Sequence, residues 1–263
     1  MIPELRGTLA ALRYPCFGEI KYDGEATVIS YDQNWENQIV TSNKYGTMRS
    51  EWSKLDALAD MLEQKDIVKA TFLAELFYGE GHAGALYELL SNKSNDDLNL
   101  VIYDVIYLET EFNKFEGTKM PLIDRKELML EMVPKDLLVN SHVCKDQNDI
   151  DTFFQDVVEM GYEGIVVKNF DSKLQTGPCS WMKMKYKDQT EFKVTMIDQT
   201  KERAEIEIDK PDGTKATCGV KISNSRKKEF KVGDMIVIEH QGFLDSGSLR
   251  HPVYVKIADP FKE

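Results

Sequence analysis

The stretch FGEIKYDGEATVISY, residues 17–31, holds a lysine in a setting that suits nucleophilic chemistry. Lys21 stands between the acidic residues Glu19 and Asp23, and Gly24 follows, where the absence of a side chain lets a substrate come close. A lysine amine becomes a nucleophile when its surroundings lower its pKa. A lysine before Asp-Gly is also common in surface turns. The tripeptide alone therefore leaves a catalytic lysine and a plain turn open.

Charged or aromatic residues interrupt four later segments that otherwise have the composition of a core. The segments are FLAELFYG with Glu75, LVIYDVIY with Tyr103 and Asp104, EGIVVK with Glu163 and Lys168, and WMKMK with Lys183 and Lys185. Because side chains alternate along a strand, Lys183 and Lys185 face the same side. Burying a charge costs free energy unless the charge is paired. The segments indicate a polar site on apolar strands or, alternatively, paired carboxylates and a tyrosine packed in the core.

Alternating and β-branched runs predict the strands that must carry these groups. They fall within residues 25–31, 37–42, 70–78, 98–108 and 162–169. Amphipathic patterns predict helices within 50–65 and 148–161, and Gly161 is a typical helix stop that leads to Glu163 on the next strand. The expected fold class is α+β, with mixed antiparallel sheets and helices in a first domain, residues 1–187.

The pattern changes after residue 187. Five short strands with turns follow, and hardly any helical periodicity is present. Five short strands in about 75 residues are typical of a small closed β-barrel. The sequence therefore predicts a small all-β second domain, residues 188–263.

Composition excludes several classes of protein. A chain of 263 residues is long enough for a large and a small domain. No apolar run approaches the length of a membrane span, and residues 1–15 lack the pattern of an export signal, so we expect no membrane partner and a cytoplasmic location. The cysteines are far apart, which argues against zinc and a disulfide scaffold; they are Cys16, Cys144, Cys179 and Cys218.

The charge is strongly negative but uneven. The net charge is −12, which by itself disfavours a nucleic-acid partner because phosphate binding rests on Lys and Arg. Residues 188–263 hold 13 Lys and Arg against 14 Asp and Glu, so the acidic excess lies in residues 1–187. A polyanion must therefore meet local basic patches, such as residues 226–231 and 183–187, which are otherwise solvated faces.

The order and spacing of five segments resemble the covalent nucleotidyltransferases, in particular the ATP-dependent DNA ligases of the minimal two-domain type. The segments are Lys21-Tyr22-Asp23-Gly24, FLAELFYG, VIYDVIY, EGIVVK and WMKMK, in that order. The β-rich remainder is similar to the OB-fold domain of the family. The resemblance implies a nucleotidyltransferase (adenylation) domain followed by an OB-fold barrel.

The resemblance also implies roles at a nucleotide site. Lys21 would attack the α-phosphorus of ATP to give lysyl-AMP, with its pKa lowered by burial and by cationic neighbours. The cofactor-binding residues would be Glu19 and Ile20 at adenine, Tyr103 stacked on it, Glu75 at the ribose, Lys168, and Lys183 with Lys185 at the α-phosphate. Glu163 and Glu75 would be the metal ligands for Mg²⁺, which neutralises a polyphosphate leaving group.

By the same resemblance, the substrate would be nicked duplex DNA. AMP would pass to the 5′-phosphate, and the 3′-hydroxyl would then attack and expel AMP. The candidate phosphate contacts are Lys44, Arg226, Lys227, Lys228, Lys231 and Arg250. We expect a monomer, from a virus or as an accessory bacterial enzyme.

Three positions depart from the family pattern. Ala26 stands two places after Gly24, where the family has arginine, and Ser42 or Asn43 stands at a second arginine position, with Lys44 as the substitute. Arg250-x-Pro252 keeps the family pattern near the C-terminus, but the arginine that should follow is replaced at Ala258, with Lys256 as the substitute. Slower self-adenylylation would follow.

Other functions compete with this interpretation. RNA ligases and capping guanylyltransferases use the same lysine chemistry, whereas an NAD-dependent ligase would need a further domain before residue 21. A non-catalytic OB-type binding protein is disfavoured by Lys21, Lys183 and Lys185. Finally, Gly79-x-Gly81-x-x-Gly84 follows a strand and Asp104 ends the next, which is the spacing of a dinucleotide-binding protein.

Overall fold

The computed structural model describes residues 3–5, 11–43, 45–49, 55–85, 97–175, 177–179, 181–209, 213–244 and 246–258, with the backbone alone at 3–5, 49 and 177–179. Lys44, which the sequence places at the substrate, lies outside the described residues, as do residues 50–54 of the first predicted helix. The chain divides into two compact units, Met1–Met184 and Lys185–Glu263. The boundary expected from the sequence lies at 187/188.

The first unit contains twelve strands in its described part, numbered in chain order. They are β1 (Pro3–Leu5), β2 (Cys16–Ile20), β3 (Glu25–Asp32), β4 (Ile39–Asn43), β5 (Met48–Arg49), β6 (Ile67–Tyr78), β7 (Leu98–Thr110), β8 (Lys114–Glu116), β9 (Ser141–Cys144), β10 (Gly164–Asn169), β11 (Gly177–Cys179) and β12 (Met182–Lys185), whose last residue opens the second unit. The predicted strand segments coincide with β3, β4, β6, β7 and β10.

Two sheets build most of this unit. One has six antiparallel strands in the order β5-β4-β3-β6-β7-β8, and the other has four in the order β12-β10-β2-β9. A separate parallel pair joins β1 to β11. Since β2 lies in the small sheet and β3 in the large one, the chain passes from one sheet to the other within residues 21–24.

Three α-helices cover these sheets in the described part of the unit. They are α1 (Asp56–Gln64), α2 (Leu122–Met132) and α3 (Gln147–Glu159). Leu58 and Leu62 of α1 are fully buried in the core of the large sheet with Phe72 and Ile102, as the helical pattern predicts. At α3, the Asp146 carboxylate accepts a hydrogen bond from the Asp149 amide at 3.0 Å, which caps the helix.

Helix α2 is absent from the sequence-based prediction. Its buried residues include Arg125 and Lys126 beside Leu122 and Met129. Two cations on the inner face break the apolar periodicity by which an amphipathic helix is recognised. The structure shows why they point inward, since each has anionic and carbonyl partners there.

Arg125 forms a fully buried ion pair with Asp104 of β7. Its Nε donates to Oδ1 at 2.7 Å and its Nη2 to Oδ2 at 2.9 Å, which is a bidentate arrangement. Its Nη1 also donates to the carbonyl oxygens of Met120 and Ser172, at 2.7 and 3.0 Å. The pair therefore ties α2 to β7 and to the segment after β10.

The second unit contains five strands in its described part. They are β13 (Asp188–Asp198), β14 (Arg203–Asp209), β15 (Lys215–Lys221), β16 (Met235–His240) and β17 (Val253–Ile257). They pair as a closed barrel in the order β13-β14-β15-β17-β16. Fully buried residues fill the interior, among them Val194, Ile206, Val220, Ile236 and Ile238. The alternation of apolar and polar residues along each strand produces this interior.

The longest helix in the described part of the chain is α3, with 13 residues. None of the described helices has the length and apolar character needed to cross a membrane.

The buried ion pair yields a prediction about stability. Arg125→Met leaves the Asp104 carboxylate buried without its partner, so the free energy of unfolding should fall by about 3–5 kcal/mol. Urea denaturation of the wild type and the variant measures this. Arg13→Met is the matched control, because its pair with Asp171 at 2.6 Å is exposed and should contribute about 1 kcal/mol or less. Equal losses of unfolding free energy in the two variants would contradict a buried Arg125–Asp104 ion pair.

Candidate active site

Lys21 lies in the connection that crosses from the small sheet to the large one. Its backbone N–H donates to the carbonyl oxygen of Gly164, the first residue of β10, at 2.8 Å. This bond continues the antiparallel pairing of β2 with β10 by one residue beyond Ile20. Lys21 is therefore held at the end of the two central strands of the small sheet, and regular backbone geometry directs its side chain.

The side chain of Lys21 forms an ion pair with Glu163. Nζ contacts Oε2, and the side-chain exposures are 18% for Lys21 and 2% for Glu163. Glu163 directly precedes β10 and follows the helix stop at Gly161, which has φ +91°. The sequence predicted that the chain leads from this stop to Glu163. In the structure, the Glu163 carboxylate lies against the Lys21 side chain.

A glycine-rich turn holds the next two residues, Tyr22 and Asp23. The Asp23 amide donates to the carbonyl oxygen of Gly81 at 3.1 Å, and Asp23 Oδ2 accepts from the amide of Gly84 at 2.8 Å. The Tyr22 ring stacks on Phe77 with 4.7 Å between centroids. Gly81 has φ +73°, and a Cβ there would lie 2.6 Å from both rings. The glycines thus serve the lysine turn.

This turn removes one competing interpretation. Dinucleotide binding requires parallel strands joined by a helix, with the glycines at the helix N-terminus. The strands on either side of the glycines, β6 and β7, pair antiparallel along their whole length. The dinucleotide-binding interpretation is therefore wrong.

The structure gives Gly24 a reason other than the expected approach of phosphates. A Cβ on Gly24 would lie 2.1 Å from the carbonyl oxygen of Leu76 and 3.1 Å from Cγ of Glu75. Glycine is therefore required because β3 begins in close contact with the backbone of β6.

Glu75 of β6 is the third charged residue around Lys21. Its carboxylate accepts a hydrogen bond from the Gly24 amide. Burial, with the charges of Glu163 and Asp23, raises the pKa of Glu75 to about 7, although the nearby Lys21 ammonium opposes the shift. Ala26 stands directly opposite Glu75 in the β3–β6 ladder. An arginine at this position, as in the family pattern, would add a cation on the strand next to the carboxylate.

Glu75 and Glu163 can contribute to a metal site but cannot complete one. Among the described residues, no group of three or more His, Cys, Asp and Glu side chains is arranged to hold a metal ion. Mg²⁺ usually keeps several waters and binds through one or two carboxylates together with substrate phosphates. Burial, followed by repulsion from Glu163 and Asp23, raises the pKa of Glu75, which fits a site that gains a cation with its substrate.

A second charged group lies behind the lysine strand, around Glu19 of β2. The Glu19 carboxylate is buried and pairs with Lys126 of α2 through Oε1 and with Lys168 of β10 through Oε2, the latter at 2.5 Å. Burial alone would raise the pKa of Glu19, but the two ammonium groups hold it below its usual range. Burial lowers the pKa of Lys168, against the attraction of Glu19.

Two aromatic rings enclose Lys168. Its Nζ lies 3.9 Å from the ring centroid of Trp181 and 5.0 Å from that of Tyr103. Tyr103 is partly buried and meets Trp181 edge to face at 6.2 Å. The structure therefore brings together Glu19, Lys168 and Tyr103, three of the residues placed at the nucleotide by the sequence.

The other predicted nucleotide residues lie on neighbouring strands. Ile20 has its side chain in the core of the small sheet with Val167 and Met182. Lys183 and Lys185 lie on β12, the edge strand of that sheet; Lys183 is exposed and Lys185 is partly exposed.

Two of the other positions where the family has arginine have local partners of their own. Ser42 and Asn43 lie in β4, and the Asn43 amide group donates to Glu25 Oε1 at 2.8 Å. Ala258 is buried, and its N–H donates to the carbonyl oxygen of Met235 at 2.9 Å.

Two of the predicted phosphate contacts donate hydrogen bonds to backbone carbonyl oxygens of the second unit, and a third is buried. Arg226 donates to the carbonyl oxygens of Tyr254 and Val255 at 3.1 and 2.6 Å. Lys227 is buried and donates to the carbonyl oxygens of Asp198 and Lys201, at 2.5 Å each, and Arg250 is also buried. Lys227 and Arg250 are buried, so a phosphate contact would require these side chains to leave their present positions. The Arg226 side chain is 41% exposed, and its phosphate contact stays a prediction.

Lys228 and Lys231 are more accessible than these three residues, because both are exposed. They are the fully exposed lysines of the predicted patch at 226–231, beside the partly exposed Arg226.

Comparison with known proteins decides the family. A family model described as the ATP-dependent DNA ligase domain matches residues 4–185. The chain belongs to this family. A DNA ligase of Pyrobaculum arsenaticum is 24% identical over 202 residues, which are 72% of this chain and 33% of that protein. The chain spans about a third of the length of this curated relative.

Solved ligase structures share the fold. A Lig E DNA ligase, described as binding DNA with a minimal scaffold, has a TM-score of 0.70 at 13% identity, with 98% of each chain covered. A mycobacterial DNA ligase D, solved with ATP and MES, has a TM-score of 0.56 at 16% identity, covering 99% of this chain and 96% of that chain. The predicted mixed sheets with few helices are confirmed as structurally similar to ATP-dependent ligases.

The raised pKa of Glu75 predicts a pH-dependent difference between wild type and Glu75→Gln. The pKa in the folded protein lies above the ordinary 4.5, so protonated Glu75 favours folding and this contribution is lost as the pH rises through about 7. Glutamine stays neutral. The stability of the variant relative to wild type should therefore increase from pH 5.5 to 8.5, by about 2 kcal/mol.

Chemical denaturation at several pH values, without nucleotide, measures this difference. Glu111→Gln, in the exposed turn between β7 and β8, is the control and should show a pH-independent difference. A constant difference for Glu75→Gln as well would contradict the raised pKa.

Proposed function

We propose that the protein is an ATP-dependent polynucleotide ligase that seals 5′-phosphate/3′-hydroxyl nicks in duplex DNA through a lysyl-AMP intermediate. The observation that carries this proposal is the buried contact of Lys21 with Glu163, beside Glu75, in a chain of the DNA ligase family. A lysine paired with a buried carboxylate and surrounded by further carboxylates suits a reaction that brings a polyphosphate and its cation to the amine.

In the first step, Nζ of Lys21 attacks the α-phosphorus of ATP. The N–P bond forms while the bond from phosphorus to the bridging oxygen breaks, and pyrophosphate leaves. The amine must first lose a proton, and Glu163 is the carboxylate in contact with it. We therefore assign to Glu163 the role of taking this proton, in addition to facing the metal.

The residues around Lys21 would bind the rest of the nucleotide. Glu75, whose pKa is about 7, can hydrogen-bond a ribose hydroxyl in either protonation state. Tyr103 would stack on adenine, in front of Lys168 and Glu19. By the resemblance, Ile20 would contribute its main chain to the base, and Lys183 and Lys185 would meet the α-phosphate.

Mg²⁺ fits this site with Glu75 and Glu163 as its protein ligands. When bound, it would neutralise charge on the phosphates and on the departing pyrophosphate. Most of its ligands would be phosphate oxygens and water, since the described residues supply no complete cage.

In the later steps, AMP passes from Lys21 to the 5′-phosphate of the nick, and the 3′-hydroxyl attacks that phosphorus and expels AMP. We propose that residues 188–263 are an OB-fold domain that contacts the duplex, and that Lys228 and Lys231 meet its phosphates. Both are exposed, and the five-stranded antiparallel barrel with one parallel closure provides the scaffold. Action as a monomer stays a prediction.

The covalent intermediate yields a testable prediction. With α-labelled ATP and Mg²⁺, label should stay on the denatured wild-type chain and should be absent from Lys21→Ala and Lys21→Arg. Arginine keeps the positive charge beside Glu163 but is not deprotonated in proteins, so it preserves the ion pair and removes the nucleophile. Lys65→Ala, on the surface after α1, should label like wild type. Label that survives in a folded Lys21→Arg protein would show that Lys21 is not the residue that carries AMP.

The substrate is tested with nicked duplexes that carry DNA or RNA on either side of the break. Sealing of all-DNA nicks supports the proposal. Sealing of RNA without DNA would make RNA ligase the function, and label taken from GTP in preference to ATP would indicate a capping enzyme. The same labelling experiment with NAD in place of ATP tests whether NAD donates the adenylyl group.

A further prediction concerns the binding of duplex DNA by the barrel. The double variant Lys228→Glu/Lys231→Glu should bind nicked duplex about tenfold or more weakly at low salt, and the slope of log affinity against log salt should become less steep by about 2. Fluorescence anisotropy across a salt series measures both. Lys65→Glu/Lys145→Glu changes the net charge equally on exposed positions of the first unit. Equal losses for the two pairs would contradict a specific phosphate contact at 228 and 231.

A further inference from the structure

Helix α2 inserts two consecutive cations, Arg125 and Lys126, beneath the candidate nucleotide site. Arg125 is satisfied by Asp104 and backbone carbonyls, as described above. Lys126 is 8% exposed and points toward Glu19. No motif of the resemblance includes Lys126, and the predicted function leaves its charge unexplained.

Lys126 contacts one group on each of three strands. Its Nζ pairs with Oε1 of Glu19 on β2, donates to Oγ of Ser141 on β9 at 3.2 Å, and donates to the carbonyl oxygen of Tyr103 on β7 at 3.3 Å. Ser141 and Glu19 are direct partners in the β2–β9 ladder, and the Ser141 hydroxyl also donates to Glu19 Oε1 at 3.5 Å. One ammonium therefore joins the two sheets at the residues placed around the base.

The Glu19 carboxylate has no freedom to rotate in this arrangement. Lys126 holds Oε1, and Lys168 holds Oε2 at 2.5 Å while lying against the ring of Trp181 at 3.9 Å. If the Lys126 ammonium is removed, the one contact left to Oε1 among the described residues is the long one with Ser141, and the Tyr103 carbonyl loses a donor. Charge-assisted hydrogen bonds of this kind are the strong ones, so their loss frees both groups.

Adenine and guanine differ at the edge that such fixed groups would read. Adenine presents an acceptor at N1 and a donor at its 6-amino group, whereas guanine presents a donor at N1 and an acceptor at its 6-oxygen. A Glu19 carboxylate fixed beside the base can accept a hydrogen bond from the adenine 6-amino group and repels the guanine 6-oxygen. A carboxylate that is free to turn would also accept a hydrogen bond from guanine N1–H, so holding Glu19 on two lysines favours adenine.

We propose that Lys126 is a positioning residue for base selection, which fixes Glu19 and the Tyr103 main chain so that the site accepts adenine and rejects guanine. The inference rests on the proposed function, because it takes the base to lie beside Tyr103. Lys126 acts through Glu19 and Tyr103, and touches no reacting atom.

The test measures base preference in binding, without chemistry. Dissociation constants for the α,β-methylene analogues of ATP and GTP, which cannot transfer a nucleotidyl group, are determined by equilibrium dialysis. Lys126→Met should lose about tenfold or more of the ATP-over-GTP preference, since it removes charge-assisted hydrogen bonds. Lys126→Arg, which keeps the cation, should retain the preference within about threefold. Lys135→Met, at an exposed lysine shortly after α2, should show the same ATP-over-GTP preference as wild type.

A second variant covers the case in which Lys126→Met does not fold. Ser141→Ala keeps both charges and removes only the hydroxyl shared by Lys126 and Glu19, so a loss of preference of about threefold is expected at nearly unchanged melting temperature. A folded Lys126→Met with wild-type preference, or an unfolded one together with an unaffected Ser141→Ala, overturns the inference.

The result also separates this inference from the proposed function. A wild type that prefers the ATP analogue but takes no label from ATP would sink the ligase proposal and leave the role of Lys126 standing if the variants behave as stated. A wild type that binds neither analogue overturns the role of Lys126.

Discussion

The contact between Lys21 and Glu163 is the interaction on which the rest of the site depends. The Glu163 side chain is buried and that of Lys21 is 18% exposed, so removing either charge would take the direct ion-pair partner from the other. The contact exists because the Lys21 amide bonds to Gly164 and because a glycine-rich turn holds Asp23 from the other side. Regular backbone pairing therefore presents the amine, and the strand crossing between two sheets places Glu75 next to it.

Behind the lysine, buried charges occur in matched groups. Asp104 is held by Arg125, and Glu19 by Lys126 and Lys168, so each carboxylate has at least one cation in direct contact. Such groups contribute little net stability, since desolvation offsets the attraction, but they impose fixed positions on the strands that carry them. At this site the strands are those that hold the predicted nucleotide residues.

The sequence predicted the parts of this arrangement that follow from local pattern. Alternation located β3, β6, β7 and β10, and the charges that break that alternation identified Glu75 and Glu163. Helix α2 could not be found in this way, because its inward-facing Arg125 and Lys126 look like surface residues until their partners are known. The same limit applies to Lys227, whose buried ammonium binds two carbonyl oxygens that are distant in sequence.

The proposed mechanism requires a phosphoramide bond between Nζ of Lys21 and AMP. Peptide mapping by mass spectrometry detects this bond after incubation of the wild-type chain with ATP and Mg²⁺ and digestion under non-acidic conditions. A single adenylylated peptide is expected, with AMP on the Lys21 side chain. AMP attached to Lys183, Lys185 or any other residue, or an unmodified chain, would contradict the mechanism.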